Sequence, residues 1–178
     1  MLLSLQWLKE FIPNLKINDK VADSLTSLGL EVSSITKKQR DLIIDIDLTP
    51  NRGDCLSVHG IARDLNSLFN KKIKYPRIKK LSKINKKKYI KSLDSKICPS
   101  YSCLSITGLN NRIKTPDLIK SRLKNSGIKN INFLVDIINC VMLEIGQPMH
   151  VFDLNKLKLP LSVEFANKTE LFLSLIHI

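Results

Sequence analysis

The sequence predicts an α+β fold, because segments with helical periodicity and segments with strand-like alternation occur together in both parts of the chain. A lysine-rich segment at about residues 70–91 interrupts the apolar periodicity and is expected to be a basic linker. We therefore expect two α+β units, at residues 1–85 and 86–178. The 178 residues are 43% hydrophobic, which is sufficient for an ordinary globular core.

Two short helices are predicted at the start of the first unit. Residues 4–11 place their apolar side chains at near-helical spacing and stop before Pro13, which cannot continue a helix. Asn18 is suited to cap a second helix, which runs to Leu28. Gly29 then supplies the left-handed conformation that commonly ends a helix.

A strand, a turn and a third helix complete the first unit. Residues 42–48 alternate between aliphatic and acidic side chains, as expected for a strand with one solvated face. Residues 49–54 contain Pro, Asn, Gly and Asp, which favour a turn. Residues 56–69 return to helical periodicity with one apolar face.

The second unit is predicted to begin with a strand at residues 101–109, followed by a turn. Thr115-Pro116 is a favourable start for a helix that Gly127 ends. Residues 133–145 carry a broad apolar face and are expected to form a largely buried helix that ends at Gly146. A further strand is predicted at residues 162–166.

The net charge of +13 indicates attraction to polyanions, and its distribution is uneven. Residues 70–91 contain eleven basic residues and no acidic residue. One interpretation is a surface that contacts a phosphate backbone, with Lys86, Lys87 and Lys88 as candidate RNA-binding residues. The other is a solvated linker, and the only aromatic side chains in the segment are Tyr75 and Tyr89.

Several classes of protein are not favoured by the sequence. No segment approaches the roughly 20 consecutive apolar residues that cross a bilayer, so we expect a cytoplasmic protein without a membrane partner. The four cysteines lack CxxC spacing and paired histidines, so no metal site is expected. No glycine-rich phosphate loop is present, and we expect this chain to bind no cofactor by itself.

Three ordered stretches resemble the β subunit of bacterial phenylalanyl-tRNA synthetase. The first is TPNRGDCLSV with GIAR at residues 49–63, and the second is CPSY at residues 98–101. The third runs over residues 115–157 and includes MLEIGQPMHVFD. The resemblance covers most of residues 1–170, and it implies that the second unit is an editing-type domain, B3/B4-like, present as an incomplete N-terminal part.

The chain also departs from this family. Bacterial members insert an entire tRNA-binding barrel where this sequence has only residues 33–40, so that barrel is expected to be absent. The chain ends where the family continues through its editing domain, and the final residues 171–178 diverge. A truncated or frameshifted reading frame would explain both features.

The resemblance implies a candidate editing site around His150 and Asn139. Editing is the hydrolysis of tyrosine wrongly attached to the phenylalanine tRNA, and a near-neutral imidazole is suited to orienting water there. His150 could equally be a structural residue of its loop. Ile138 stands where the family has a threonine, which removes a hydroxyl from the expected pocket.

Two other polar residues have mainly structural interpretations. Glu144 is expected to be a solvated or capping residue at a helix end. Arg52 could bind a phosphate, but pairing with Asp45, Asp47 or Asp54 is the stronger expectation.

The resemblance predicts a subunit of phenylalanine–tRNA ligase that works with an α subunit in an α2β2 heterotetramer and with tRNA. ATP and Mg are implied for the whole enzyme, and the isolated chain is expected to be inactive. Two alternatives stay open. The chain could be a free-standing RNA-binding or trans-editing module, or a non-catalytic structural remnant.

Overall fold

The computed structural model of the chain describes residues 1–39, 41–70, 72–76, 78, 89–93, 96, 98–163 and 165–166. Within these residues the α+β prediction is confirmed. The strands are β1 (Leu2–Ser4), β2 (Glu31–Lys38), β3 (Asp41–Asp47), β4 (Ile90–Leu93) and β5 (Leu161–Val163). The α-helices are α1 (Leu5–Phe11), α2 (Lys20–Ser27), α3 (Val58–Phe69), α4 (Asp117–Asn125) and α5 (Phe133–Ile145), and a 3₁₀ helix covers Pro50–Cys55.

The chain forms two compact units that are not contiguous in sequence. The first contains Met1–Lys79 and Asn110–Val151, and the second contains Lys80–Leu109 and Phe152–Ile178. This grouping differs from the expected division at residue 85, because α4 and α5 pack with α3 and β1 in the first unit. The residues around the expected boundary, 79–88, lie outside the described part of the chain, so a linker there stays a prediction.

A three-stranded antiparallel sheet, ordered β1-β3-β2, organises the first unit. The central strand β3 corresponds to the predicted strand at residues 42–48. Four aliphatic side chains of this strand are buried: Leu42, Ile43, Ile44 and Ile46. More of the strand is therefore buried than the alternating pattern predicted. The sequence interpretation missed β1 and β2, which lack a strong alternation of apolar and polar residues.

Strands β2 and β3 pair as an antiparallel hairpin. Lys38 pairs with Asp41 at its closed end, and a bulge near Ser33 interrupts the register between Val32 and Ser34. Gln39 takes a positive φ of 50°, as tight turns often require. The position where a barrel was expected to be missing is therefore occupied by a short hairpin.

The apolar core of the first unit lies between the sheet and α1, α2 and α3. Trp7, Leu25, Ile44 and Ile61 are each 2% exposed or less. Leu123 of α4 and Cys140 of α5 belong to the same cluster. These two residues explain why the α4–α5 pair joins the N-terminal elements, since burial of apolar surface is the main favourable term in such packing.

The predicted glycine ends of the helices are present, but the predicted caps are not. The Ser4 hydroxyl accepts a hydrogen bond from the Trp7 backbone at 3.1 Å and caps α1. The left-handed residue after α2 is Gly29, with φ of 79°. The prediction that Asn18 caps α2 is wrong, because Asp19 occupies the cap position and its side chain makes no capping hydrogen bond.

Helices α4 and α5 differ in detail from their predictions. Thr115 does not cap α4, because Pro116 occupies the cap position and the Thr115 hydroxyl bonds to Asp136 instead. The side chain of Asn132 caps α5, and Gly146 ends it with φ of 81°. The expectation of a largely buried α5 is wrong, since only Asp136 and Cys140 on this helix are buried.

The second unit contains the parallel pair β4–β5 among its described residues. The predicted strand at residues 101–109 is wrong. Residues 101–107 are irregular, Gly108 adopts a positive φ of 73°, and large apolar side chains such as Leu104 and Ile106 are exposed. The strand expected at residues 162–166 is present as the shorter β5.

In the part of the chain that the structure describes, none of the helices combines the length and the apolar character needed to cross a membrane.

Candidate functional site

The turn that carries the first motif is held by Arg52. Its guanidinium bonds to Asp54 at 3.1 Å and to Asp64 of α3 at 2.8 Å. These hydrogen bonds raise the pKa of Arg52, and the hydrogen bond from Arg52 lowers the pKa of the Asp54 carboxyl. The expected structural role of Arg52 is therefore confirmed, with Asp54 as the expected partner and Asp64 as one that the sequence did not reveal.

The same motif brings α3 very close to the 3₁₀ helix. A Cβ atom added to Gly60 would lie 1.8 Å from the carbonyl oxygen of Asp54, so only glycine fits there without movement of the backbone. Ser57 caps α3 by accepting a hydrogen bond from the Gly60 backbone at 3.0 Å. A Cβ atom on Gly146 would lie 3.2 Å from the Ser57 hydroxyl. The first and third motifs therefore meet where the loop that carries His150 begins.

The two candidate editing residues occupy different environments. Asn139 is partly buried on α5, as is its neighbour Ile138. His150 is exposed and lies in the irregular segment that follows Gly146. An exposed imidazole is accessible to a large substrate such as RNA, but this position does not test a catalytic role. The assignments of His150 and Asn139 stay predictions.

A buried carboxylate on α5 joins neighbouring segments, and the sequence did not predict this structural role. Asp136 is 1% exposed and accepts hydrogen bonds from the Thr115 hydroxyl at 2.6 Å and from the Ile131 backbone at 2.8 Å. It thereby fixes the start of α5 to the segments on either side of α4. An acidic residue within an otherwise apolar helix, one turn after its cap, was the available signal.

A second unanticipated cluster surrounds Arg122 on α4. Its guanidinium bonds to both carboxylate oxygens of Glu10, at 2.5 and 2.6 Å. It also lies 3.9 Å from Glu144 and 4.7 Å from the centre of the Trp7 ring. Burial lowers the pKa of Arg122, but the hydrogen bond and the charge of Glu10 outweigh it and raise the pKa overall. The partners are distant in sequence, so spacing could not reveal them.

This cluster borders a cleft in the first unit, which has a volume of about 820 Å³. Its walls come from α1, α4 and the segment 74–76, and neither Asn139 nor His150 lines it. Trp7, Phe11 and Tyr75 contribute rings, while Lys9 and Lys74 contribute cations. The cleft therefore combines the exposed ring of Tyr75 with both basic and acidic side chains, at a place that the motifs did not indicate.

The other predicted site residues are the lysines of the basic segment. Lys86, Lys87 and Lys88 lie outside the described residues. No group of three or more His, Cys, Asp and Glu side chains suited to a metal ion occurs among the residues that the structure describes. The expectation that this chain holds no metal and no cofactor stays a prediction.

Comparison with known proteins defines the class of the C-terminal half. A family model for the B3/4 domain matches residues 97–177. The matched region includes α4, α5 and β5, together with Asn139 and His150.

The curated relatives identify the particular family. The chain is 44% identical over 131 residues to the phenylalanine–tRNA ligase beta subunit of Coxiella burnetii, which covers 73% of this chain and 16% of the relative. The Francisella tularensis beta subunit is 44% identical over 133 residues, covering 73% and 17%. The Neisseria meningitidis one is 43% identical over 131 residues, with 73% and 17% covered. Over the matched residues this chain belongs to the family of phenylalanine–tRNA ligase beta subunits, and it spans about a sixth of the length of these relatives.

Proposed function

We propose that this chain acts as part of the β subunit of phenylalanine–tRNA ligase, which attaches phenylalanine to its tRNA with ATP. The observation that carries the proposal is the identity of 44% over 131 residues with the beta subunit of Coxiella burnetii. In this role the chain works beside an α subunit, in an α2β2 assembly, in the cytoplasm. The proposal assigns ATP and Mg²⁺ to the whole enzyme and not to this chain, whose sequence shows no glycine-rich phosphate loop.

The motif residues support this proposal because they have defined structural roles here. Arg52 and Gly60 hold the 3₁₀ helix against α3, and Asp136 holds the start of α5. A chance match of short motifs would not be expected to place each motif residue in a specific contact. The first and third motifs also meet at Ser57 and Gly146.

We further propose that the region around α5 contributes part of an editing site for tyrosine on the phenylalanine tRNA. Ester hydrolysis requires an oriented water, stabilisation of the developing oxyanion and a grip on the tRNA end. His150 is exposed and able to approach such an ester, and the amide of Asn139 is suited to substrate binding. Ile138 supplies no hydroxyl, so the site in this chain is weaker than the family pattern implies.

A free-standing RNA-binding module is the second candidate function. It is favoured by the net charge of +13, because a strongly basic chain attracts polyanions such as RNA. Phosphate contacts of this kind are sequence-independent and weaken steeply with salt.

Depletion of this chain in cells that carry its gene separates these functions. The β-subunit role requires the charged fraction of phenylalanine tRNA to fall while the charging of other tRNAs stays constant. Unchanged charging with increased tyrosine on phenylalanine tRNA would instead indicate trans-editing. If the charging of phenylalanine tRNA stayed constant and no tyrosine accumulated on it, the β-subunit role and trans-editing would both be contradicted. An RNA-binding or remnant role would then remain.

A further inference from the structure

We propose that the cleft between α1 and α4 binds a nucleotide segment of single-stranded RNA, with Tyr75 stacking on a base and Lys9 and Lys74 contacting phosphates. This inference rests on the RNA-binding part of the proposed function and assigns it a surface. The cleft volume of about 820 Å³ lies within the roughly 300–1,000 Å³ range of small-molecule and cofactor sites, so a nucleotide fits.

Tyr75 provides the stacking surface. Its side chain is 61% exposed, which is unusual for a large ring that is held in place. One side of the ring lies near His59, with the ring centres 5.2 Å apart, and the neighbouring Lys74 backbone donates a hydrogen bond to the Phe11 carbonyl at 2.8 Å. The ring is therefore anchored while much of its surface stays open to a base, and such stacking is worth about 1–3 kcal/mol per base.

The cations of the cleft are available to phosphates. Lys9 and Lys74 are exposed, and neither forms an ion pair within the described part of the chain. They line the same cleft from α1 and from the segment that carries Tyr75. Lysine at the rim of a cleft, next to an aromatic surface, matches the arrangement by which proteins track a single strand.

The acidic residues of the cleft have contacts of their own and do not pair with Lys9 or Lys74 among the described residues. Glu10 is paired with Arg122 through both carboxylate oxygens. Asp41 accepts hydrogen bonds from the Ser4 hydroxyl at 2.6 Å and from the Gln6 backbone at 2.9 Å. Glu144 lies 3.9 Å from Arg122. Lys9 and Lys74 therefore stay available to phosphates, although the cleft is lined by as many acidic as basic side chains, and an acidic peptide lacks the base that Tyr75 would stack on.

The test is fluorescence anisotropy of the full chain with a fluorescein-labelled oligouridylate of about eight nucleotides, a length typical of single-strand sites. Tyr75→Ala should raise Kd roughly 5- to 150-fold, whereas Tyr75→Phe should retain binding because the ring is kept. The pair Lys9→Ala/Lys74→Ala should reduce the dependence of log K on log salt by about 1.4, the value for two phosphates on a single strand.

The matched control is Lys16→Ala/Lys20→Ala, which removes the same charge from exposed positions outside the cleft. RNA binding that is equally sensitive to both lysine pairs and unaffected by Tyr75→Ala overturns the cleft assignment but leaves RNA binding intact. No binding to the oligonucleotide or to tRNA overturns the RNA-binding proposal as well. Competition by AMP as effective as that by the oligonucleotide would identify a mononucleotide site and contradict the RNA assignment.

Discussion

The guanidinium of Arg122 lies over the ring of Trp7, with 4.7 Å between the guanidinium carbon and the ring centre. This contact joins a helix of the segment matched by the B3/4 family model to the first helix of the chain. The ion pair with Glu10, in which one guanidinium nitrogen donates to both carboxylate oxygens, acts in the same place. Arg122 is therefore a principal attachment between sequence segments that lie more than 100 residues apart.

Replacement of Arg122 is expected to weaken the fold of the first unit. Arg122→Ala should lower the free energy of unfolding by about 1–3 kcal/mol, because it removes the ion pair and the ring contact of a mostly buried cation. Arg122→Lys should recover only part of the loss, since lysine has no planar guanidinium to lie over the Trp7 ring. Urea denaturation measures both. Lys120→Ala is the control, because its ion pair with the exposed Asp117 spans 4.0 Å, and a loss as large as that of Arg122→Ala would contradict the assignment.

Gly60 is expected to tolerate no side chain. Gly60→Ala should destabilise the protein by about 3 kcal/mol or more, because its Cβ would lie 1.8 Å from a backbone oxygen. Gly53→Ala in the same motif is the matched control, since no atom lies within 4 Å of its added Cβ. Thermal unfolding of the two variants should differ clearly. Equal stabilities would show that the close approach of α3 to the 3₁₀ helix is not as described.

Substitutions of Thr115 and Asp136 are expected to have coupled effects on the free energy of unfolding, because a hydrogen bond joins the two side chains. Asp136→Ala should cost about 2–4 kcal/mol, because it also leaves the Ile131 backbone donor without its partner. Thr115→Val should cost about 1–3 kcal/mol, since the buried carboxylate loses one donor. A double-mutant cycle should give a coupling above about 0.5 kcal/mol. Strict additivity of the two changes would contradict a direct interaction.

Cys55 is expected to be unreactive in the folded protein. Burial raises the pKa of its thiol to about 11, so the thiolate is scarce near pH 8. A thiol reagent at pH 8 should modify the exposed Cys103 quickly and Cys55 only after unfolding in urea. Peptide mapping of the modified protein identifies each site, and rapid native labelling of Cys55 would argue against its burial.

The same pKa shift gives a defined pH dependence of stability. Between about pH 9 and 11 the unfolded chain loses the Cys55 proton while the folded chain keeps it, so the folded state becomes less stable as pH rises. A Cys55→Ala variant should show a weaker decline over this range. Identical declines in both proteins would assign the effect to other groups.

The isolated chain is expected not to hydrolyse tyrosine from mischarged phenylalanine tRNA above the uncatalysed rate. The groups of a hydrolytic site act as a unit, and single members retain little value alone. His150→Ala should therefore be indistinguishable from the unchanged chain in a deacylation assay. A rate well above background that His150→Ala abolishes would instead support trans-editing.

The sequence predicted the elements whose formation is local. The glycines after α2 and α5 were predicted because a left-handed glycine ends a helix within one turn, whereas the cap of α1 at Ser4 was not identified from the sequence. The irregular conformation of residues 101–107 was not, because an apolar run becomes a strand only when another strand pairs with it. The same reason explains the missed β2, whose partner β3 supplies most of its definition.

The candidate sites show the same division. The pairing of Arg52 with Asp54 was predictable from two residues in one turn, whereas the Arg122 cluster required knowledge of how α1 and α4 pack. Tyr75 looked isolated in a lysine-rich segment, and only the fold places it at a cleft with Trp7. Proximity in space, unlike proximity in sequence, depends on the packing of the entire unit.

In the hairpin of β2 and β3, Lys38 and Asp41 are directly opposite each other on the two strands. An inserted segment can replace residues 39 and 40 if its own two ends lie a few ångströms apart. The register of the two strands is then expected to stay the same. The position therefore works as a modular junction. Grafting a foreign domain there is a practical route to fusion proteins that keep the original core, and loss of such a domain would need no repair elsewhere in the chain.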